Sequence, residues 1–219
     1  MGTDENSILF IRKCYRHLLR IVLDPKIKRF IITGNPGIGK TFFGYYILYD
    51  LMQHGETVIY DKVDMNPILF NNQGASVGRD LFDFFYQLED PKVWYIVDGK
   101  RPHTAGAKTI LVCSPRKSYY EELDKLPLAT TRYMPVWDKK EIDACWDLIY
   151  RRRVNKETVD DLFYKWGGIP RFVLEKANDI TQQNKLKEAI DRCDETLLIA
   201  SIGGSHNIMN HHSILPSIL

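Results

Sequence analysis

The sequence predicts an α/β fold, in which about five parallel strands form one sheet and a helical lid follows. Strand-like and helix-like patterns alternate between Arg29 and Trp137, which is typical of a parallel sheet covered by helices. A glycine-rich turn joins the first strand of this alternation to its first helix. After Trp137 only helical patterns remain, and these predict the lid.

The chain begins with a predicted helical region over residues 1–25. Residues 4–23 carry apolar side chains at helical spacing, with Asp4 or Asn6 as the N-cap. Asp24 and Pro25 end this helix, because proline cannot donate the next backbone hydrogen bond.

The α/β core is predicted over residues 26–137. Its strands are expected in the runs RFIITG, TVIYDKV, KVWYIVDG, TILVCS and TRYMPVW. Its helices are expected at residues 40–54, in RDLFDFFYQL and around SYYEELDKL.

The lid is predicted over residues 138–200 as four helices. The first begins with Asp138 as N-cap and Glu141 three residues later, which is the pattern of a capping box. Residues 201–219 are rich in His, Asn and Ser without periodicity, so we expect a flexible tail or a linker to an absent domain. Its histidines His206, His211 and His212 lack zinc-ligand spacing, which favours a tail over a metal site.

The composition is that of an ordinary globular protein. Charged residues make up 26% and hydrophobic residues 44%, and the formal net charge is +2, so no bias toward nucleic acid or membrane is expected. No apolar run reaches the roughly 18 residues that span a bilayer, and the N-terminus lacks a signal-peptide pattern. The four cysteines are far apart, which indicates free thiols in a reducing compartment.

Residues 34–41, GNPGIGKT, match the phosphate-binding pattern GxxxxGK[ST] and lie between a strand pattern and a helix pattern. The glycines let backbone N–H groups surround phosphate oxygens, Lys40 reaches the outer phosphates, and Thr41 offers its hydroxyl to Mg²⁺. A nucleoside triphosphate with Mg²⁺ is therefore the predicted ligand. The residues predicted to contact it are Gly34, Asn35, Pro36, Gly37, Ile38, Gly39, Lys40, Thr41 and Phe42. The following FFGYYILYDL is apolar nearly all round, which indicates packing on a sheet and not an aromatic binding surface.

Asp98 ends the apolar run WYIVDG, where a carboxylate would hold Mg²⁺ and its water shell. The alternative is an Asp-Gly turn. Gly99 stands where many nucleotide hydrolases have a second carboxylate that orients the attacking water, so slow hydrolysis is expected. Asp61 and Asp64 are candidates to replace that carboxylate if their strand neighbours the strand of Asp98.

Two further residues are candidate sensors of the outermost phosphate. Ser114 follows the strand TILVCS, although a plain serine in a turn after a strand fits the pattern as well. In WGGIPR, a Gly-Gly pair ends one helix, Pro170 opens the next, and Arg171 lies in its first turn. The helix dipole disfavours a cation there, so Arg171 is expected to reach the γ-phosphate or, alternatively, solvent.

Six segments together resemble the P-loop NTPase region of Crinkler effectors and of the related retrotransposon hot spot proteins. They are FIRKCYRHLL, ITGNPGIGKTFFGYYILYDL, YIVDG, VCSPRKSYY, RYMPVWDKKEI and WGGIPRFVL, and the likeness spans roughly residues 9 to 176. The resemblance implies a fold of the AAA+ and STAND type, ATP as ligand, and a natural protein exported into host cells and often directed to the nucleus. It also implies a neighbouring nuclease-like domain with DNA as target. The family's ubiquitin-like N-terminal header is missing here, so export and nuclease activity are not expected of these residues.

The leading interpretation is a Mg-ATP-binding NTPase module that works as a slow switch within an effector. A small-molecule or nucleotide kinase is an alternative, for which residues 151–153 form the single arginine cluster. This cluster also suits a solvated helix end or contact with phosphate or the DNA backbone. A nucleotide-dependent scaffold without turnover is a third interpretation. Host proteins and a second subunit of a homo-oligomer, which could supply the missing carboxylate, remain open as partners.

Overall fold

The computed structural model describes residues 8–192, and within this range the chain divides after Val136 into two compact units. None of the helices in the described range is long and apolar enough to cross a membrane. The predicted tail at residues 201–219 and its histidines lie outside the described residues.

The first unit contains a seven-stranded mixed sheet in the order β4-β3-β2-β5-β6-β1-β7. Five neighbouring strands, from β2 to β7 in that order, are parallel, whereas β3 and β4 are antiparallel to their neighbours. The strands are β1 Arg29–Thr33, β2 Val58–Lys62, β3 Ile68–Asn71, β4 Gly74–Val77, β5 Trp94–Asp98, β6 Lys108–Val112 and β7 Ala129–Tyr133.

The prediction of an all-parallel sheet of about five strands is therefore wrong for the sheet as a whole. A hairpin adds β3 and β4 at one edge, with Asn71 paired to Gly74 across a two-residue turn. The Asn71 side chain accepts a hydrogen bond from the backbone N–H of Gln73 at 2.8 Å, which stabilises the turn. Gly74 has a φ of 125°, which favours glycine at the end of this turn.

Two buried layers enclose the sheet of the first unit. Helix α2, Lys40–Gln53, follows β1 and packs against one face, where Gly44 approaches Val112. The other face is covered by a 3₁₀ turn at Leu81–Phe84 and by α3, Phe85–Glu89, and α4, Lys117–Asp124. The core of this second layer includes Ile31, Ile59, Tyr95, Val97, Leu111, Leu81, Phe84 and Leu88.

Helix α1 spans Lys13–Val22, so it begins later than predicted. Its buried side is formed by Tyr15, Leu18, Leu19 and Val22. The Tyr15 ring lies 5.2 Å from that of Phe43, centroid to centroid, and therefore packs α1 against α2.

The second unit is helical. The capping box at Asp138 and Glu141 is present and begins α5, Lys139–Cys145, which continues into a π-helical turn at Trp146–Tyr150. Helix α6, Lys156–Trp166, begins at an Asn155 cap, and α7, Ile180–Asp191, at an Asp179 cap. Between them, Arg171–Glu175 forms a second π-helical turn where a longer helix was expected.

Candidate nucleotide-binding site

The loop between β1 and α2 has the conformation that the phosphate-binding motif requires. Gly37 and Gly39 have φ values of 81° and 94°, which side chains with a Cβ rarely adopt. At Gly34 an added Cβ would lie 2.8 Å from the carbonyl oxygen of Met134, so a larger residue would displace the backbone there. Asn35 is exposed and Pro36 and Phe42 border the loop, whereas the Ile38 side chain is fully buried. Ile38 can therefore offer a ligand only its backbone.

Lys40 is the first residue of α2, and its ammonium extends back over the loop. Its Nζ donates to the carbonyl oxygens of Gly34 at 2.7 Å and Asn35 at 2.8 Å. The charge is thus held at the loop, at the N-terminal end of a helix, where anionic phosphate oxygens are stabilised.

Two residues of the α1 region support this loop, and the sequence analysis did not identify them as functional. The hydroxyl of Tyr15 donates to the carbonyl oxygen of Gly39 at 2.8 Å. The guanidinium of Arg12 donates to the carbonyl oxygens of Pro135 at 2.9 Å and Val136 at 3.1 Å. Arg12 and Tyr15 are each 1% exposed, and their spacing of three in FIRKCY was the available signal.

Thr41 and Asp98, the two predicted magnesium ligands, lie together. Asp98 ends β5 and is buried, and the Thr41 side chain forms a hydrogen bond with its carboxylate. The Tyr60 hydroxyl donates to Asp98 Oδ2 at 3.4 Å. Burial raises the pKa of Asp98, whereas the Thr41 hydrogen bond and the charge of Lys62 oppose that rise.

A hydroxyl and a carboxylate are hard oxygen donors of the kind that Mg²⁺ uses, and Mg²⁺ keeps several of its waters in such sites. The donor set therefore fits Mg²⁺ bound together with a nucleotide. Within residues 8–192 there is no cluster of three or more His, Cys, Asp or Glu side chains that could hold a metal ion by themselves.

Gly99 has a backbone conformation that excludes the second carboxylate. Its φ is 76°, in the left-handed region, and an added Cβ would lie 3.0 Å from Val63 Cγ1. The Gly99 N–H donates to the carbonyl oxygen of Val112 at 2.9 Å, which holds this turn against β6.

Asp61 does not fill the position of the missing carboxylate. Its strand does neighbour that of Asp98, but Asp61 pairs in register with Val97, so its side chain lies on the opposite face from Asp98. There, Lys100 Nζ lies 2.6 Å from Asp61 Oδ1 and the Tyr95 hydroxyl donates to Oδ2 at 3.0 Å. Asp64 is exposed in the turn after β2, with a φ of 61°.

Ser114 follows β6, the strand between β1, which leads into the loop, and β5, which ends at Asp98. The N–H of the preceding Cys113 donates to the Ile32 carbonyl oxygen at 3.1 Å, so this segment continues along β1. Ser114 is half-buried at the edge where the loop and Asp98 both lie. Its position suits the predicted role of a phosphate sensor.

Pro170 and Arg171 lie in the second unit. Pro170 precedes the π-helical turn that Arg171 begins, and the Arg171 side chain is exposed. Within this unit the Trp137 N–H donates to the Gly168 carbonyl oxygen at 2.9 Å. A Cβ on Gly168 would lie 1.8 Å from the Trp137 carbonyl oxygen, so the motifs YMPVW and GGIPR meet through a required glycine.

The turn that carries Arg171 is fixed by its neighbours in the same unit. The Gln183 amide donates to the carbonyl oxygens of Phe172 at 2.9 Å and Lys176 at 2.8 Å. Trp166 stacks on Phe172 with 4.0 Å between ring centroids. These contacts satisfy carbonyl groups that a π-helical turn leaves open.

Two predictions about exposed residues have different outcomes. The α2 helix buries one side but exposes Phe42, Tyr45, Tyr49 and Met52 on the other, so the expectation that it packs nearly all round is wrong. The arginine cluster at residues 151–153 is exposed after a π-helical turn, and Arg151 pairs with Asp147 at 3.2 Å. This is the environment of the solvated helix end among the interpretations of that cluster.

Comparison with known proteins identifies no matching family model. Among solved structures, the fold is similar to AMPPCP-bound DnaA from Aquifex aeolicus, with 14% sequence identity, a TM-score of 0.46, and coverage of 84% of this chain and 66% of that chain. Domain III of the replication initiation protein DnaA from Thermotoga maritima gives 14% identity and a TM-score of 0.47, with 86% of this chain and 89% of that chain covered.

Two curated proteins of Phytophthora infestans are similar over most of the chain. Crinkler effector protein 16 is 29% identical over 215 residues, which are 91% of this chain and 34% of the relative. Crinkler effector protein 15 is 29% identical over 210 residues, which are 89% of this chain and 33% of the relative. The chain thus spans about a third of the length of these relatives. The resemblance inferred from the motifs is confirmed: along about nine tenths of its length, this chain is similar to Crinkler effector proteins.

Proposed function

We propose that this chain is an ATP-binding P-loop NTPase module of the AAA+ and STAND type, which binds ATP with Mg²⁺ and hydrolyses it slowly. The proposal is supported above all by the convergence of three groups. Lys40 lies over the glycine loop, and the hydrogen-bonded pair of Thr41 and Asp98 lies beside it. An ordinary glycine turn would need neither the lysine nor the buried carboxylate.

Each residue has a distinct proposed role. The backbone N–H groups of residues 34–41 bind phosphate oxygens, and Lys40 neutralises the outer phosphates. Thr41 and Asp98 hold Mg²⁺, which when bound neutralises charge on the phosphates. Ser114 and Arg171 sense the γ-phosphate, Ser114 from the end of β6 and Arg171 from the lid.

Slow turnover follows from the turn at Gly99. A side chain that orients the attacking water contributes to hydrolysis in P-loop enzymes, and GTPases without their stimulating arginine turn over at roughly 10⁻⁴ to 10⁻² per second. We expect turnover well below ~1 per second, compared with ~10 per second for a typical enzyme. A slow hydrolase keeps the triphosphate state long enough to work as a switch.

The biological setting is proposed from the resemblance. The chain would be the nucleotide-dependent module of a Crinkler-type effector, exported into host cells, directed to the nucleus and regulating a neighbouring domain that acts on DNA. Host proteins and a second copy of the chain are further partners in this proposal.

The test is ATP binding by calorimetry with Mg²⁺ for wild type and Lys40→Ala. Lys117→Ala is the matched control, because Lys117 is the exposed first residue of another helix, α4. We expect Lys40→Ala to lose most of the affinity and Lys117→Ala to retain it. Equal affinity in all three proteins would refute the P-loop assignment.

Turnover measurements separate the alternatives. Transfer of phosphate from ATP to a panel of nucleosides and nucleotides would identify a kinase. Binding without any phosphate release would identify a nucleotide-dependent scaffold.

A further inference from the structure

Lys62 lies beside Asp98, and the proposed function does not use it. It is the last residue of β2, and the parallel register pairs it directly with Asp98 at the end of β5. Paired residues of neighbouring strands project from the same face of a sheet. The two side chains therefore leave the sheet together on the face that α2 covers.

The Lys62 ammonium is held close to the predicted magnesium ligands. Its Nζ donates to the Tyr45 hydroxyl at 3.1 Å and lies 5.6 Å from the centroid of the Tyr45 ring. Tyr45 is four residues after Thr41 on α2, so both belong to one side of that helix. The Tyr45 ring also lies 5.8 Å from that of Tyr60, whose hydroxyl donates to Asp98.

A carboxylate as buried as that of Asp98 needs a compensating cation, because removing its charge from water is costly. Lys62 and Lys40 both act on it, and the influence of Lys62 exceeds that of Lys40. Lys40 is meanwhile hydrogen-bonded to the carbonyl oxygens of the loop. Lys62 is thus placed to balance Asp98 before any metal or nucleotide arrives.

We infer that Lys62 is the resident counter-ion of Asp98 and that Mg²⁺ competes with it for this carboxylate. The inference rests on the proposed function, because it takes Asp98 as a magnesium ligand. A free Mg²⁺ ion would add positive charge to a site that already contains Lys40 and Lys62. The complex of Mg²⁺ with ATP is an anion, so Lys62 favours that complex. Lys62 therefore makes the site selective for metal that arrives with nucleotide.

The test compares ATP affinity at saturating Mg²⁺ with ATP affinity in EDTA, for wild type and Lys62→Met. Methionine keeps an apolar stem beside Tyr45 and removes the charge. In EDTA the variant should bind ATP more weakly, because Asp98 then repels the phosphates without a neighbouring cation. The ratio of the two affinities should rise about tenfold, as expected for one partly screened charge near a divalent ion.

Three further variants make the result specific. Lys62→Arg retains the cation and should keep a ratio near that of wild type. Lys92→Met removes one positive charge at an exposed residue just before β5 and should leave the ratio unchanged. Lys62→Gln retains a polar contact for Tyr45 and replaces Lys62→Met if the latter fails to fold, with the same expected increase.

A second measurement uses Mg²⁺ alone. Without nucleotide, millimolar Mg²⁺ should raise the melting temperature of Lys62→Met more than that of wild type, because the competing cation is gone. An unchanged affinity ratio and an unchanged response to Mg²⁺ in Lys62→Met, with Lys40→Ala still defective in binding, would overturn this inference and leave the P-loop function intact. An equal increase in Lys92→Met would also overturn it, because net charge would then be the cause. Normal ATP binding by Lys40→Ala would instead refute the proposed function.

Discussion

Introducing a carboxylate at Gly99 should destabilise the protein without making it a faster hydrolase. Gly99 has a φ of 76°, and a Cβ there would lie 3.0 Å from Val63 Cγ1. A left-handed backbone costs a residue with a Cβ roughly 1–2 kcal/mol, before any cost of moving Val63. For a chain of this size, about 1 kcal/mol corresponds to a shift of ~2–4 °C in melting temperature. We therefore expect Gly99→Glu to melt about 4–8 °C below wild type.

The assay is thermal and urea unfolding together with ATP turnover for wild type, Gly99→Ala and Gly99→Glu. Gly99→Ala isolates the strain of the Cβ, so most of the destabilisation should already be present in it. Combining Gly99→Glu with Val63→Ala removes the close contact and should recover only the part of the loss that is due to Val63. Turnover in Gly99→Glu should stay within a few-fold of wild type.

The reasoning would be refuted if Gly99→Glu were as stable as wild type and hydrolysed ATP tens of times faster. That outcome would mean that the turn relaxes readily into a conformation in which a carboxylate reaches the attacking water. The slow rate would then come from the missing side chain alone and not from the shape of the backbone.

Two further predictions concern a buried acid and the proposed sensor. Asp61→Asn should lower the free energy of unfolding by about 1–3 kcal/mol in urea titrations, because it breaks the pair with Lys100, yet ATP turnover per folded molecule should not change. A loss of turnover without a loss of stability would return Asp61 to the catalytic site. Arg171→Ala should narrow the preference for ATP over ADP in calorimetry, since only the triphosphate offers the γ-phosphate contact. If the ratio of the two affinities stays constant, Arg171 is not a sensor of that phosphate.

The parallel strands were predictable because each is a short apolar run bounded by polar or glycine residues, and buried strands of that kind carry their own signal. The hairpin of β3 and β4 was not. All four residues of β4 are exposed, so they lack the apolar alternation that marks a half-buried strand. Only the tight turn at Asn71 signals this hairpin in the sequence, and many loops contain such residues.

The candidate site divides along the same line. The loop and Asp98 are local signals, since each is a short motif at the end of a strand. The role of Asp61 depended on which face of the sheet its side chain occupies, and register with β5 decides that. Arg12 escaped prediction because a guanidinium at a helix start is normally solvated, whereas here it is buried against backbone carbonyls.

The charges around Asp98 explain how one site can bind a nucleotide firmly and still turn it over slowly. Lys40 and Lys62 both neutralise negative charge, and such neutralisation stabilises bound phosphates in the ground state as well as during reaction. Rate acceleration requires a group that acts only as the bond to the γ-phosphate breaks, and the Gly99 turn offers no side chain for that purpose. A lysine with its pKa raised, as for Lys62 through its hydrogen bond with Tyr45, stays protonated and cannot accept a proton from water. The described residues thus favour holding ATP over hydrolysing it, so a faster rate would need a carboxylate from outside them.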